Sequence, residues 1–157
     1  MQSAIYNITL EMLENDIYFK EAIAKNLYNE YYWSNDWSEE LYIALAKKGF
    51  ICTSHQTKDG LILLPELQLD YGILDFKNLH ISKKLKKIIK QNDAKLCFNT
   101  SFDEVLEQFS LQHEQNWLIG EYAELMQKLH KNREKYTNFE LISVELIAKN
   151  TNKLIAG

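Results

Sequence analysis

A chain of 157 residues with 46% apolar and 12% aromatic side chains holds one ordinary domain, or a small domain plus part of a second, and is too apolar for wholesale disorder. No apolar run approaches the roughly 20 residues of a membrane helix, and the N-terminus Met1-Gln-Ser-Ala-Ile-Tyr6 lacks a signal peptide's basic region and apolar core, so a cytoplasmic location without a membrane partner is expected. Two cysteines, Cys52 and Cys97, with five glycines and one proline, exclude a metal-binding spacing, a disulfide framework and a Gly-rich phosphate loop; no metal or cofactor is expected.

The elements follow in chain order. Residues 4–10 alternate as a short strand, and Met12 to Tyr28 carries apolar residues near helical spacing. Tyr31, Tyr32, Trp33 and Trp37 place four large rings in seven residues, which either pack at a domain edge or line a pocket. Ser38 caps a helix with Glu39 and Glu40 in its first turn, Leu41, Ala44 and Leu45 on its buried stripe and Gly49 closing it. Phe50 to Thr53 and Leu61 to Leu64 read as a hairpin about a turn at Thr57-Lys-Asp-Gly60, ended by Pro65, with His55 a surface residue beside the turn.

Tyr71 to Leu74 is strand-like. Ser82 then caps a helix in which Leu85, Ile88 and Ile89 share one face and lysines the other, so that it lies half buried. Residues 83–95 hold Lys83, Lys84, Lys86, Lys87, Lys90 and Lys95 against Asp93, a local charge of +5 within a total of −4, which leaves −9 for the remainder. Such lysines are either a solvated helix face or a dock for an anionic ligand. Ala94 to Asn99 reads as a strand, and Ser101-Phe-Asp-Glu104 as a capping box that starts the next helix. A further helix follows Trp117-Leu-Ile-Gly120, with Tyr122, Leu125, Met126 and Leu129 on one stripe. Phe139 to Ala148 and Lys153 to Gly157 close the chain as strands.

From Leu96 onward the order is strand, helix, helix, strand, strand, which resembles the opening of the acetyltransferase-like (GNAT) fold. Leu79-His80-Ile81-Ser82 before a basic helix, Thr100 and Phe102 with Val105, Asn116-Trp117-Leu118-Ile119, Tyr122, Leu129-His130, Ser143-Val144-Glu145 and Leu154-Ile155-Ala156-Gly157 look like the bacterial leucyl/phenylalanyl-tRNA–protein transferases over Trp37 to Gly157. The resemblance implies an α+β chain: a small N-terminal α/β domain over 1–78, then the first half of a GNAT-like mixed α/β transferase domain over 79–157, cut short at its C-terminus.

It also implies a transferase that moves Leu or Phe from its tRNA to the N-terminal amine of a protein, marking that protein for degradation. The partners are then an aminoacyl-tRNA and an acceptor N-terminus. Trp117 matches the ring that holds the terminal adenosine, or else it packs at a helix start. His80 and Ser82 are the other substrate-side candidates, with His80 equally able to brace its helix. Lys83, Lys84, Lys86, Lys87 and Lys90 are the candidate tRNA contacts.

The chain departs from the family in several places. The family's Phe-Pro-Trp-Phe stretch is Phe50-Ile51-Cys52-Thr53-Ser54 here, its double tryptophan falls near Pro65-Glu66, and its histidine before Ser-Val-Glu is Ile142. The Gly-Glu-Ser element and later groups that poise the amine are expected beyond Gly157, so no general base is assigned. A non-catalytic relative that binds tRNA or protein, and a GNAT-type acyltransferase with another donor, remain as alternative readings.

Overall fold

The computed structural model describes residues 5–25, 31–68, 70, 72–112 and 116–157. The chain is mixed α/β and forms two compact units, each discontinuous in sequence: Met1–Leu69 with Ser110–Leu141, and Asp70–Phe109 with Ile142–Gly157. The N-terminal segment of the first unit ends at Leu69, and the segment 110–141 returns to that unit.

In the first unit, β1 (Tyr6–Asn7) runs parallel to β2 (Tyr32–Trp33), and β3 (Phe50–Thr57) pairs antiparallel with β4 (Gly60–Leu67). Ser34 and Leu63 exchange both backbone hydrogen bonds, at 2.9 and 2.8 Å, which joins the end of β2 to β4. The expected strand over 4–10 is thus only two residues long among those described, and Leu10 already begins α1 (Leu10–Glu14).

The expected single helix from Met12 is broken at Asn15. Its backbone is extended (φ −92°, ψ 99°), its N–H ends α1 on the Glu11 carbonyl, and its side chain accepts from Tyr18 N at 3.0 Å to start α2 (Asp16–Lys25). A short amide side chain competes well for backbone donors, and here it does so between two helices. Residues 26–28 of that expected helix lie outside the described residues.

Helix α3 (Glu39–Lys47) forms as its caps dictate. Ser38 Oγ accepts from Leu41 N at 3.2 Å, and Gly49 takes φ +90°, a conformation that a side chain would strain, to turn the chain into β3. Leu41, Ile43 and Leu45 are buried. Helix α6 (Gly120–Lys131) buries Tyr122, Leu125, Met126 and Leu129, the predicted stripe in full. Its C-cap Asn132 donates Nδ2 to both Glu39 carboxylate oxygens at 2.9 Å, linking the end of α6 to the start of α3. Each such leucine stabilises the unit by about 1.5–3 kcal/mol relative to exposure.

Pro65 does not end the hairpin; it pairs with Cys52 inside β4, and the ladder continues to Phe50↔Leu67. The reason is register. Leu63 turns both backbone groups toward Ser34 and away from β3, and residue 65, two along, points the same way, so the absent N–H costs the β3–β4 ladder nothing.

In the second unit, β5 (Ala94–Phe98), β6 (Val144–Ala148) and β7 (Leu154–Ala156) form an antiparallel sheet in that order. The expected strand from Phe139 begins only at Val144, and the expected strand at Tyr71 to Leu74 is absent from 72–74, Tyr71 being outside the described residues. Helix α4 (Lys83–Gln91) starts at the Ser82 cap and stops at Asn92, which takes φ +55°. It is not half buried: Leu85, Ile88 and Ile89 are 46%, 53% and 59% exposed, since among the described residues no helix or strand packs extensively on α4. Among the described residues of this unit, Ile147 is the one apolar side chain that is buried. Leu96, Phe98, Val144 and Leu146 leave one sheet face open to solvent.

The expected capping box at Ser101 is replaced by a longer-range cap. Asn99, at φ +55°, accepts from Ser143 N through its side chain at 3.0 Å and bends the chain. Glu145, fully buried on β6, then accepts from Thr100 N at 3.2 Å, Thr100 Oγ1 at 2.7 Å, Ser101 N at 3.2 Å and the Ser143 hydroxyl, at the start of α5 (Phe102–Gln112). Glu145, not Glu104, satisfies the Ser101 N–H.

Burial pushes the Glu145 carboxyl pKa up, but the hydroxyls of Ser143 and Thr100 and the two amides outweigh it and hold the group below the usual glutamate range. Because the folded value is lowered, the contribution to stability is complete above the ordinary glutamate range and is lost as pH falls through the lowered value. Glu145→Ala is expected to destabilise the second unit by about 1–3 kcal/mol at neutral pH. Hydrogen exchange across β5–β7 measures this, and the difference from wild type should shrink in acid.

Candidate functional site

Strand β3 is the outer strand of its hairpin, and the register that suits Pro65 also turns the Cys52 carbonyl outward from β4. The buried Tyr122 hydroxyl donates to that carbonyl at 2.8 Å and lies 3.3 Å from the Tyr42 hydroxyl. Two residues along β3, the Ser54 hydroxyl donates to the Trp117 carbonyl. The first turn of α6 and the segment before it are therefore fastened to one strand edge at two points. Asn116 shapes that segment by accepting from Leu118 N at 2.8 Å, and Gly120, at φ +50°, opens the helix against Leu61.

Rings gather around Tyr122. Its centroid lies 5.5 Å from Trp117, 5.9 Å from Trp37 and 6.0 Å from Tyr42, at tilts of 36°, 42° and 49°. Phe139 meets Tyr42 edge-on at 6.5 Å. Burial raises the Tyr122 and Tyr42 hydroxyl pKa values and pushes the Cys52 thiol up to about 12, so all three stay protonated and the cluster is neutral. Cys52 is thus a packing residue and a poor nucleophile. Trp117, at the margin of the cluster, is 39% exposed.

Its ring helps to line a cleft of about 210 Å³ with Ser54, His55, Gln56, Leu61, Asn116 and Ile119. The lining combines an indole and two aliphatic side chains with amides, a hydroxyl and an imidazole. That mixture suits a flat ligand with polar edges. A larger open groove, about 570 Å³, runs beside Arg133, Glu134, Tyr136, Asn138, Phe139 and Glu140, with charges of both signs and no stacking tryptophan.

The sequence candidates divide between the units. Trp117 stands in this cleft. Ser82 uses its hydroxyl as the α4 cap, accepting from Leu85 N at 3.2 Å, and His80 is exposed with no hydrogen bond among the described residues. Lys83, Lys84, Lys86, Lys87 and Lys90 are all exposed on α4, in the second unit. His55 is the residue that sequence reading placed as a bystander at a turn; it lines the cleft with Trp117, 62 positions away. Only the folded register brings the two together. The described residues hold no cluster of metal-ligating side chains, and no described helix is long and apolar enough to cross a membrane.

Residues 73–157 match the family model of the leucyl/phenylalanyl-tRNA protein transferases. The chain belongs to this family. No curated protein and no solved structure matches the chain. The matched segment takes in Trp117, His80, Ser82 and the five α4 lysines, whereas Ser54, His55, Gln56 and Leu61 precede it.

Tyr122→Phe tests the fastening of α6 to β3. It keeps the ring and removes the donor to the Cys52 carbonyl, so it should cost about 1–3 kcal/mol. Urea unfolding monitored by tryptophan fluorescence should show the lowered midpoint.

Proposed function

We propose that this family member is an aminoacyl-tRNA–protein transferase that moves a Leu or Phe residue from tRNA to the N-terminal amine of a cytoplasmic protein, marking it for degradation. The observation that carries the proposal is Trp117. It lies within the family match, is backed by Tyr122, and is exposed at a cleft sized for a small ring. In this reading it is the platform for the tRNA terminal adenosine.

The chemistry asks little beyond placement. A neutral amine attacks the ester carbonyl, and the required aids are positioning, a proton acceptor and stabilisation of the developing oxyanion. The exposed lysines Lys83, Lys84, Lys86, Lys87 and Lys90 on α4 would meet tRNA phosphates, and Ser82 acts through the helix it caps. His80 would join the substrate side of that surface. The proposal takes 79–157 as the opening half of a GNAT-like domain that follows an N-terminal domain over 1–78, a reading supported by the strand, helix, helix, strand, strand order from Ala94.

Trp117→Ala should weaken aminoacyl-tRNA binding by about 1–3 kcal/mol, roughly 5- to 150-fold. Lys84→Glu with Lys87→Glu should lower affinity across all tRNA sequences and flatten its salt dependence. Fluorescence anisotropy at several salt concentrations measures both effects. Labelled Leu or Phe should pass from tRNA to a peptide with an N-terminal Arg. Binding without transfer would make the chain a docking relative, and absence of binding at low salt would remove the proposal altogether.

A further inference from the structure

We infer that Ser54 is the positioning residue of the adenosine platform, holding Trp117 in the orientation that stacks on the terminal base of the tRNA; the inference rests on the transferase reading of the Trp117 cleft. Ser54 lies on β3, before the residues that match the family, and its hydroxyl donates to the Trp117 carbonyl across 63 positions of sequence. Both residues line the cleft. The segment that carries Trp117 needs such a tie. Ile119, the N-cap of α6, makes no side-chain capping hydrogen bond, so the helix start does not by itself fix the residues before it. Asn116 turns its side-chain oxygen to Leu118 N at 2.8 Å, a bond within the segment that shapes it without anchoring it. The Ser54 hydroxyl supplies the anchor.

The strand behind Ser54 is held on its far side. Ser54 faces Leu63 in the β3–β4 ladder, Leu63 is fully buried, and its backbone exchanges both hydrogen bonds with Ser34. The hydroxyl therefore acts from a fixed point. Anchoring the Trp117 carbonyl sets the peptide plane next to its Cα, and with it the direction in which the indole leaves the chain. The indole meets the Tyr122 ring with centroids 5.5 Å apart at a tilt of 36°, while Trp117, 39% exposed, forms part of the cleft wall. Stacking needs close contact over the whole ring, and a gap of about 0.5–1 Å forfeits roughly a quarter to a half of the dispersion attraction. A platform that rocks is a weak one. The contact is at the surface, so water can take the place of the hydroxyl at the carbonyl when Ser54 is replaced by Ala. The fold then survives, and the orientation of the ring is what is lost.

The test compares wild type, Ser54→Ala, Ser54→Thr, Trp117→Ala and the double variant Ser54→Ala/Trp117→Ala as full chains. Fluorescence anisotropy gives dissociation constants for Phe-tRNA and for the same tRNA lacking its terminal adenosine, and thermal melts are recorded alongside. Ser54→Ala should bind Phe-tRNA roughly 3- to 10-fold more weakly, the effect of one lost hydrogen bond, with its affinity for the shortened tRNA and its melting transition unchanged. Ser54→Thr, which keeps the hydroxyl, should restore the wild-type affinity. The double variant should bind no more weakly than Trp117→Ala, because Ser54 acts through the indole. Ser54→Ala within twofold of wild type, while Trp117→Ala shows its loss, overturns the role of Ser54 and leaves the transferase reading intact. A loss shared equally by the two tRNAs, or one that adds to that of Trp117→Ala, is general damage to the surface and also overturns it. A wild-type chain that binds the two tRNAs equally, or binds neither, overturns the inference together with the reading of Trp117 as the platform.

Discussion

The hydrogen bond from the buried Tyr122 hydroxyl to the Cys52 carbonyl is the constraint on which the cleft depends. It exists because β3 pairs with β4 in a register that leaves the Cys52 carbonyl facing outward, the same register that accepts Pro65. A buried carbonyl without a donor is costly, and a tyrosine is long enough to reach it from a neighbouring helix while filling the gap with its ring. Once that bond is made, the start of α6 is held, Ser54 can take the Trp117 carbonyl, and the indole is displayed at the margin of an aromatic cluster. The cleft is thus a by-product of satisfying one strand edge.

The two units reach stability by different means. The first buries leucines from α3, β4 and α6 and supports the cleft with a packed interior. The second has little apolar interior among its described residues and is organised around a carboxylate: Glu145 gathers two amides and two hydroxyls and so sets the start of α5, beside the bend that Asn99 makes by accepting from Ser143 N. Hydrogen bonds to a charged group are worth more than neutral ones, which lets one side chain order a segment that packing alone would leave loose. The exposed lysine helix α4 belongs to this less packed unit.

Much of the fold was legible in the chain. Ser38 and Gly49 bound α3 as their chemistry requires, Tyr122, Leu125, Met126 and Leu129 fell on one buried stripe, and the order from β5 to β7 followed the pattern of apolar residues. Trp117 and the α4 lysines were legible as candidates because an isolated tryptophan and a cationic helix stand out in composition. The misses have two causes. At Asn15 a local competition decided, the side chain accepting from Tyr18 N three positions on; at Pro65 and Ser101 a distant group decided, Ser34 beside the Pro65 strand and Glu145 at Ser101. The burial of α4 was misjudged for a similar reason, since amphipathic periodicity states which face is apolar and not whether anything covers it.

By itself, the sequence determined the family, the element order from β5 onward, the caps at Ser38 and Ser82 and the basic character of α4, because these depend on residue type and on spacings of a few positions. Only the tertiary structure decided that His55, a turn-side residue in the sequence, shares a cleft with Trp117, and that Glu145 rather than Glu104 caps α5. Both pairings join residues more than 40 positions apart. They follow from strand register and from the need to satisfy backbone groups that no neighbour in sequence can reach.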